Sequence, residues 1–343
     1  MYVLPGIWSV LSLFSGRVDP WPVLSALGGC DALTAADRPA LLRAGVPLDL
    51  VARASTEGDL VSPVPFLLAG GPDYPDALSA LPYAPPVLFH QGRLAALDNP
   101  AVAIVGSRRC TAEGRRSAAE LARAVTLAGG VVVSGMAIGI DTAAHREAMA
   151  HGTTVAVLGQ GLAAASSHGA RRLRDEIVAG GGAVLSEFLP DHPPQGFTFL
   201  QRNRVIAGLA RATVVVEAGQ RSGALSTARH ALEAGREVLA VPAHYRSEAS
   251  AGCLRLIEQG ATIVRSPGTV LEAARLVGER APRDGASLPL SARVLEDALQ
   301  RGGTVDQLAV RAGVPILQAC GILIELELAG LVRRLPGQRY ERC

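Results

Sequence analysis

The sequence contains no lysine. Each of the 33 residues counted as Lys+Arg in this chain of 343 is therefore an arginine, a planar and permanently charged fork. A Schiff-base lysine and a P-loop lysine are both excluded. GC-rich coding bias, which also favours the abundant Ala, Gly, Pro and Arg, accounts for this better than functional selection does, and the chemical exclusions hold either way. Cysteine pairs are missing too. Cys30, Cys110, Cys253, Cys320 and Cys343 lie far apart with no C-x-x-C, which argues against a zinc ribbon, another metal site or a disulfide framework and fits a reducing cytoplasm. No run of about 18 apolar residues occurs, and no basic region precedes the first apolar stretch, so neither a membrane span nor a signal peptide is expected. The chain also lacks an excess of one charge. With a net charge of +2, any nucleic-acid binding must come from local clusters of arginine.

What is present is 49% hydrophobic composition, enough for packed cores in two or three domains. Residues 1–60 carry apolar residues at helical spacing (Ile7, Val10, Leu11, Phe14), broken at Gly28-Gly29 and Asp37 to Pro39, and read as a small helical domain. Pro63, Pro65, Pro72, Pro75, Pro82, Pro85 and Pro86 make 61–100 an extended connector and lead-in. From 101 to 278, β-branched runs alternate with Ala-rich amphipathic segments, the pattern of repeated βα units around a buried parallel sheet. Strands are predicted at Ala101–Val105, Val131–Ser134, Thr153–Leu158, Ala183–Ser186, Thr213–Glu217 and Glu237–Val241, with a short one at Thr262–Val264. The fold class is thus α/β, a Rossmann-like doubly wound, mostly parallel sheet. Polar, turn-prone residues 279–288 form a linker to a last domain at 289–343. There, Ser291–Leu299, Thr304–Ala312 and Pro315–Ala329 read as helices and Leu331–Tyr340 as a strand pair turning at Pro336-Gly337, a winged helix.

Ligands of such sheets sit at the carboxyl ends of the strands. The first βα turn there is Gly106, Ser107, Arg108, Arg109, where a glycine ending a strand leaves backbone N–H groups for an anion and the arginines add bidentate bonds to phosphate. It is not a G-x-G-x-x-G fingerprint, so dinucleotide binding is weakly supported and no cofactor is expected. The second turn, from Ser134 and Gly135 through Gly139 to Asp141, repeats the arrangement. Asp141 with His145, four residues on, reads either as an acid–base pair or as a helix cap and a packed histidine, and the second reading is favoured. Arg202, Asn203 and Arg204 follow Phe197 and Phe199 at a predicted strand-to-helix junction. Cations that neutralise phosphate beside rings that stack bases are the profile of a sequence-tolerant single-strand binder. Glu217, Ser222 and Gly223 face the same crevice, as does Glu187. The carboxylates fix arginine forks or meet a base edge, and no metal-ligand spacing accompanies them.

These turns, in this order, resemble the DprA/Smf family of DNA-processing proteins. The segments are the G-S-R at 106–108, S-G-M-A-I-G-I-D-T-A-A-H at 134–145, A-V-L-G-Q-G-L at 156–162, R-N-R-V-I-A-G-L at 202–209 and V-E-A-G-Q-R-S-G-A-L-S-T-A at 216–228, after a lead-in from 73. The resemblance implies a non-catalytic protein that binds and protects single-stranded DNA and loads the RecA recombinase in natural transformation. It would act as a homodimer, with single-strand binding protein as a further partner. By position, Arg108 and Phe199 match residues that the family places at the DNA groove. Five positions depart from the pattern: Ile138 replaces an arginine, Ser166-Ser167 a Tyr-Pro pair, Leu200 a proline and Ala243 a glycine. One phosphate contact fewer at Ile138 should flatten the salt dependence of binding, with dimerisation compensating through effective concentration.

The third helix of the expected winged helix offers only Gln318, Glu325 and Glu327 as polar side chains, so it is a poor reader of bases. The wing instead carries Arg333, Arg334, Arg339 and Arg342. Two other readings remain open at this point. One is a nucleotide enzyme of the phosphoribohydrolase type, whose P-G-G-x-G-T turn is replaced here by Ala218 to Gly223; the other is a winged-helix regulator.

Overall fold

In the computed structural model the chain divides into two compact units, 1–280 and 281–343. The described residues are 2–13, 19–54, 59–79, 81 and 83–276 in the first, with 303–312 and parts of 315–342 in the second. The first unit opens with β1 (Tyr2–Leu4), which pairs antiparallel with β2 (Leu60–Ser62). Among the described residues between them run the short helices α1 (Gly6–Leu13), α2 (Pro20–Leu27), α3 (Cys30–Ala35), α4 (Arg38–Arg43) and α5 (Leu48–Ala54). Their starts are written in the sequence. The Asp19 and Asp37 carboxylates accept from Trp21 N–H and Ala40 N–H, and each is followed by a proline in the first turn, where no amide donor is needed. Trp8, Leu11, Leu33 and Leu50 are buried in one cluster with Leu78 and Phe89, so the N-terminal helices share their core with the proline-rich stretch.

That stretch is more regular than its composition predicts. It supplies β3 (Phe66–Leu68), the short α6 (Asp76–Ser79) and β4 (Val87–Gly92). The prolines fall between these elements, and both strands are proline-free, so no ladder hydrogen bond is lost. β4 pairs antiparallel with β3 and with β8 (Ala183–Ser186), which puts β3 at one edge of the main sheet.

The rest of that sheet is made of β5 (Ala101–Val105), β6 (Val131–Ser134), β7 (Thr154–Leu158), β9 (Ala212–Val215), β10 (Glu237–Ala240) and β11 (Thr262–Ile263) with β8, in the order β11-β10-β9-β5-β6-β7-β8-β4-β3. All pairings from β11 to β8 are parallel. The connecting helices are α7 (Ala112–Leu127), α8 (Ile140–His151), α9 (His168–Ala179), α10 (Gly196–Leu209), α11 (Ala224–Glu233), α12 (Ala251–Glu258) and α13 (Pro267–Ala273). Strands buried on both faces need apolar residues at every position, as the Val131-Val132-Val133 run shows. Val102, Ile104 and Val132 pack with Leu121 and Val125 of α7 and Ala144 of α8, while Ala103, Val133 and Val155 belong to the core of the opposite face with Val205 and Ile206 of α10. The chain winds outward from β5 through β8, then returns to place β9 on the other side of β5. The loops after β5 and β9 therefore part company, and a crevice opens between them.

In the second unit, β12 (Gly303–Thr304), β13 (Val332–Leu335) and β14 (Arg339–Arg342) form an antiparallel sheet in the order β12-β14-β13. A helix, Val305–Ala312, begins with a reciprocal cap between Thr304 and Gln307. The linker expected at 279–288, the helix at Ser291–Leu299, the turn at Pro336-Gly337 and most of Pro315–Ala329 lie outside the described residues.

Gly92 closes β4 with φ +89°, and a Cβ there would stand 2.2 Å from the Gly182 carbonyl oxygen, whereas Gly235 has φ +66° with open space around it. Gly235→Ala should cost about 1–2 kcal/mol for the left-handed backbone alone. Gly92→Ala should cost about 1–3 kcal/mol beyond that for the collision. Urea titrations of both variants check the difference.

Candidate nucleic-acid interface

The crevice predicted by the strand order is present as a cleft of about 710 Å³. It is lined by Gly106, Ser107, Arg108 and Arg109 from the loop after β5, Asp141 from α8, Phe199, Leu200, Arg202 and Asn203 from α10, and Arg221, Ser222 and Gly223 before α11. Ten residues singled out in the sequence thus meet in one place, and Ser134, Gly135, Gly139, Arg204, Glu187 and Glu217 do not line it.

Those six hold the cleft together from behind. The Ser134 hydroxyl donates to the Ile104 carbonyl at 2.6 Å, tying β6 to β5. Gly139, at φ +99°, lets the second turn lie on the first, since a Cβ there would meet the Ser107 carbonyl at 2.4 Å. Glu217 does not fix an arginine, contrary to expectation. It accepts from the Thr111 N–H at 3.1 Å and hydroxyl at 2.7 Å, so its carboxylate sits at the N-terminus of α7, where the helix dipole favours it. Glu187 does hold a fork, in a buried ion pair with Arg204.

Arg202-Asn203-Arg204 lie inside α10 and not at the strand-to-helix junction that the sequence suggested. The apolar run from Val205 continues a helix already begun at Gly196, and no strand precedes it. All three are buried. The Arg202 guanidinium donates to the carbonyls of Gly135, at 2.9 Å, and of Val157. It fills the space that a Cβ on Gly135 would need, 2.6 Å from its nitrogens, so that glycine admits a side chain of the protein itself. Asn203 donates to the Gly223 carbonyl at 3.1 Å.

Asp141 is not the N-cap; that position is Gly139. Its carboxylate instead accepts from the N–H groups of Gly135 at 3.1 Å and Ala137 at 3.3 Å. Between them Met136 is held at φ +56°, a conformation costly for any residue but glycine, and the two bonds fix it there. Burial raises the Asp141 pKa, opposed by the Arg202 charge and these amides. Burial pushes Arg202 down to about 10, with Asp141 resisting.

Three backbone amides between 107 and 111 are already taken by the protein itself. Ser107 N–H donates to the Glu217 carbonyl, Arg109 N–H to the Ser107 hydroxyl and Thr111 N–H to the Glu217 carboxylate. The charge that faces solvent is on side chains. Arg108, Arg109 and Arg221 are exposed, and among the described residues none has a carboxylate partner. The Arg108 guanidinium lies 5.3 Å from the Phe199 ring centroid. A guanidinium stacked by its face keeps its N–H donors free at the edge, which is where a phosphate binds. Phe199 is seated by Gly159, where a Cβ would come within 2.7 Å of the ring, and by Thr198, whose hydroxyl donates to the Gly159 carbonyl at 2.5 Å. Phe197 and Leu200 are more than half or half exposed at 59% and 50%, and Ile138 stands out at 79%. Arg221 was missed in the sequence. A cation just before a helix at the carboxyl end of a strand was the signal.

His145 and Asp141 serve different partners. The Thr154 hydroxyl donates to the Val132 carbonyl, so the contact at 2.8 Å is His145 Nδ1–H donating to Thr154. Burial, and then the Arg202 charge, holds this imidazole down to about 3, only partly opposed by the Ser134 carbonyl. The fold therefore requires neutral His145. That stability is fully present above the ordinary imidazole value of 6.5 and drains away as pH falls toward 3. Between pH 7 and pH 5 the wild type should lose about 2 kcal/mol relative to His145→Gln in urea titrations.

Comparisons with known proteins identify the family of the chain. The sequence model of the family described as DNA recombination-mediator protein A matches residues 65–275, and that of the DprA winged helix domain matches 279–338. The chain is 38% identical over 276 residues to Protein Smf of Escherichia coli, covering 77% of this chain and 74% of that one. Among solved structures, DNA processing protein A from Streptococcus pneumoniae superposes with a TM-score of 0.62 at 35% identity, over 78% of this chain and 97% of that one. DNA processing protein A from Helicobacter pylori, whose structure is described as showing a single-stranded DNA binding mode, gives 0.55 at 27%, over 62% and 97%. With a matching domain over most of the Rossmann-like unit, a matching winged helix and relatives along most of its length, this chain belongs to the DprA (Smf) family of DNA-processing proteins.

Proposed function

We propose that the cleft binds a single unpaired DNA strand without cutting it, and that the protein protects incoming strands and hands them to a RecA recombinase. The observation that carries this reading is Arg108, which has no carboxylate partner among the described residues and lies over the Phe199 ring, beside Arg109 and Arg221 in the crevice of the sheet. Guanidinium edges take the phosphates, and the ring environment takes a base face that only an unpaired strand presents. The single-stranded DNA binding mode described for the Helicobacter pylori relative supports it. A non-catalytic role is supported by Asp141, the one carboxylate among the described cleft residues, whose oxygens are spent on the second turn and Arg202. Action in the cytoplasm as a homodimer, with single-strand binding protein nearby, belongs to the same proposal. The absence of a helix long and apolar enough to cross a membrane, among the described residues, accords with it.

Arg108→Ala should weaken binding of labelled oligo-dT by about 1–3 kcal/mol, the range for a lost charge-assisted contact. It should also reduce the slope of log affinity against log salt by about 0.7. Fluorescence anisotropy across salt measures both. Preference for duplex of equal length, or binding insensitive to salt, would overturn the proposal. Release of base from nucleoside monophosphates would revive the enzyme reading, and a strand-exchange assay with recombinase and single-strand binding protein tests the handover.

A further inference from the structure

The segment after β10 leaves the sheet at the same edge as the cleft, because β10 runs parallel to β9 and β5. Its first residue is still in register, with Val241 N–H donating to the Val215 carbonyl at 3.0 Å. A tight turn comes next, closed by Ser247 N–H to the His244 carbonyl at 2.8 Å, which puts Tyr245 and Arg246 at the tip. Tyr245 is 72% exposed, so it adds almost nothing to the core. Yet it is held in place. The His244 ring packs on it at 4.6 Å between centroids and 31° between planes, and the Arg246 guanidinium lies 5.3 Å from its centroid. Arg246 N–H donates back to His244 Nδ1 at 3.2 Å, and among the described residues Arg246 has no carboxylate partner.

The base of this segment is anchored to the cleft wall. Gly252 N–H donates to the Ala218 carbonyl at 2.7 Å, and the Glu248 carbonyl lies 3.5 Å from where a Cβ on Gly219 would be, Gly219 being a cleft residue. The strand order β10-β9-β5 sets β10, which leads into this turn, two strand spacings, about 10 Å, along the sheet from β5, which leads into the Arg108 loop.

We propose that His244, Tyr245 and Arg246 form a second stacking platform, which receives an unpaired base from the strand that crosses the cleft and so lengthens the DNA footprint beyond Arg108 and Phe199. An exposed ring braced by a second ring and an unpaired guanidinium offers a face and a charge to any base, whatever its identity. A duplex hides those faces, so the platform favours unpaired DNA. This inference rests on the cleft being a single-strand site.

The test uses the full chain and oligo-dT of increasing length, in anisotropy titrations of the wild type, Tyr245→Ala, Tyr245→Phe and Arg108→Ala, with abasic oligonucleotides of equal length alongside. Tyr245→Ala should leave the shortest bound oligonucleotide unaffected and weaken the longer ones about 5- to 100-fold, the scale of one lost base–aromatic stack. Tyr245→Phe should retain wild-type affinity, and the abasic strand should not distinguish Tyr245→Ala from the wild type. Wild-type affinity of Tyr245→Ala at every length, with Arg108→Ala weakened throughout, would sink the platform and leave the cleft reading standing. An equal loss on the abasic strand would also sink it, since a backbone contact needs no ring. Failure of the wild type to bind unpaired DNA at all would remove the cleft reading and the platform together.

Discussion

Beneath the floor of the cleft, one guanidinium with 4% of its residue exposed joins three parts of the sheet. Arg202 reaches from α10 to the carbonyls that end β6 and β7, and its charge offsets that of Asp141, whose carboxylate holds the turn between β6 and α8. A fork is needed here. A buried ammonium is a point charge with a strongly held hydration shell, whereas a guanidinium presents several donors in one plane and is more weakly hydrated. The second-turn glycine depends on that side chain lying where it does, since a Cβ on Gly135 would stand 2.6 Å from its nitrogens. Removing either member of such a buried charged set leaves the other uncompensated, which is costly far beyond the strength of a surface pair.

The arginines thus divide by burial into two chemically distinct sets. Arg202 donates to the carbonyls of Gly135 and Val157 and Arg204 pairs with Glu187, both side chains being buried, although Arg202 lines the cleft. Arg108, Arg109 and Arg221 stand in solvent on loops whose backbone is fixed by other side chains. Ser107 and Glu217 use up most of the amides of the first turn, so that turn is a rigid mount for two side-chain forks more than a nest of free N–H groups. Rigid mounting matters because immobilising a long side chain on binding costs entropy, and a guanidinium already stacked on Phe199 has part of its freedom removed beforehand.

Much of this is legible in the chain. Runs such as Val131 to Val133 and Thr154 to Leu158 read as strands buried on both faces, and the glycines after them mark the carboxyl edge of the sheet. The order of the strands is not legible, and that order makes the crevice between the loops after β5 and β9. The R-N-R triplet misleads for a local reason. Charge in a sequence reads as surface, and only tertiary packing reveals that carbonyls of Gly135 and Val157 wait for Arg202 inside. Glu217 misleads in the same way, its partner being a helix start more than a hundred residues upstream. The proline-rich lead-in reads as extended, which its strands are, but composition cannot show that β4 would find β8.

The cleft lining has only three exposed cations among the described residues, which under the proposed reading bears on how a strand would be held. If Arg108, Arg109 and Arg221 each neutralise one phosphate, counterion release gives a salt slope of only about −2 for a single strand. An apolar Ile138, at 79% exposure, contributes nothing to that attraction where the family resemblance implies an arginine. Electrostatic attraction of this size is weak at physiological salt, so affinity has to be made up by contacts that salt does not screen. Stacking on aromatic faces is one such contact, and duplication of the cleft in a dimer is another, since a second site on a common strand raises effective concentration without any new charge. Under the proposed single-strand reading, holding an unpaired strand would therefore depend more on rings and on repetition than on the exposed arginines of the cleft.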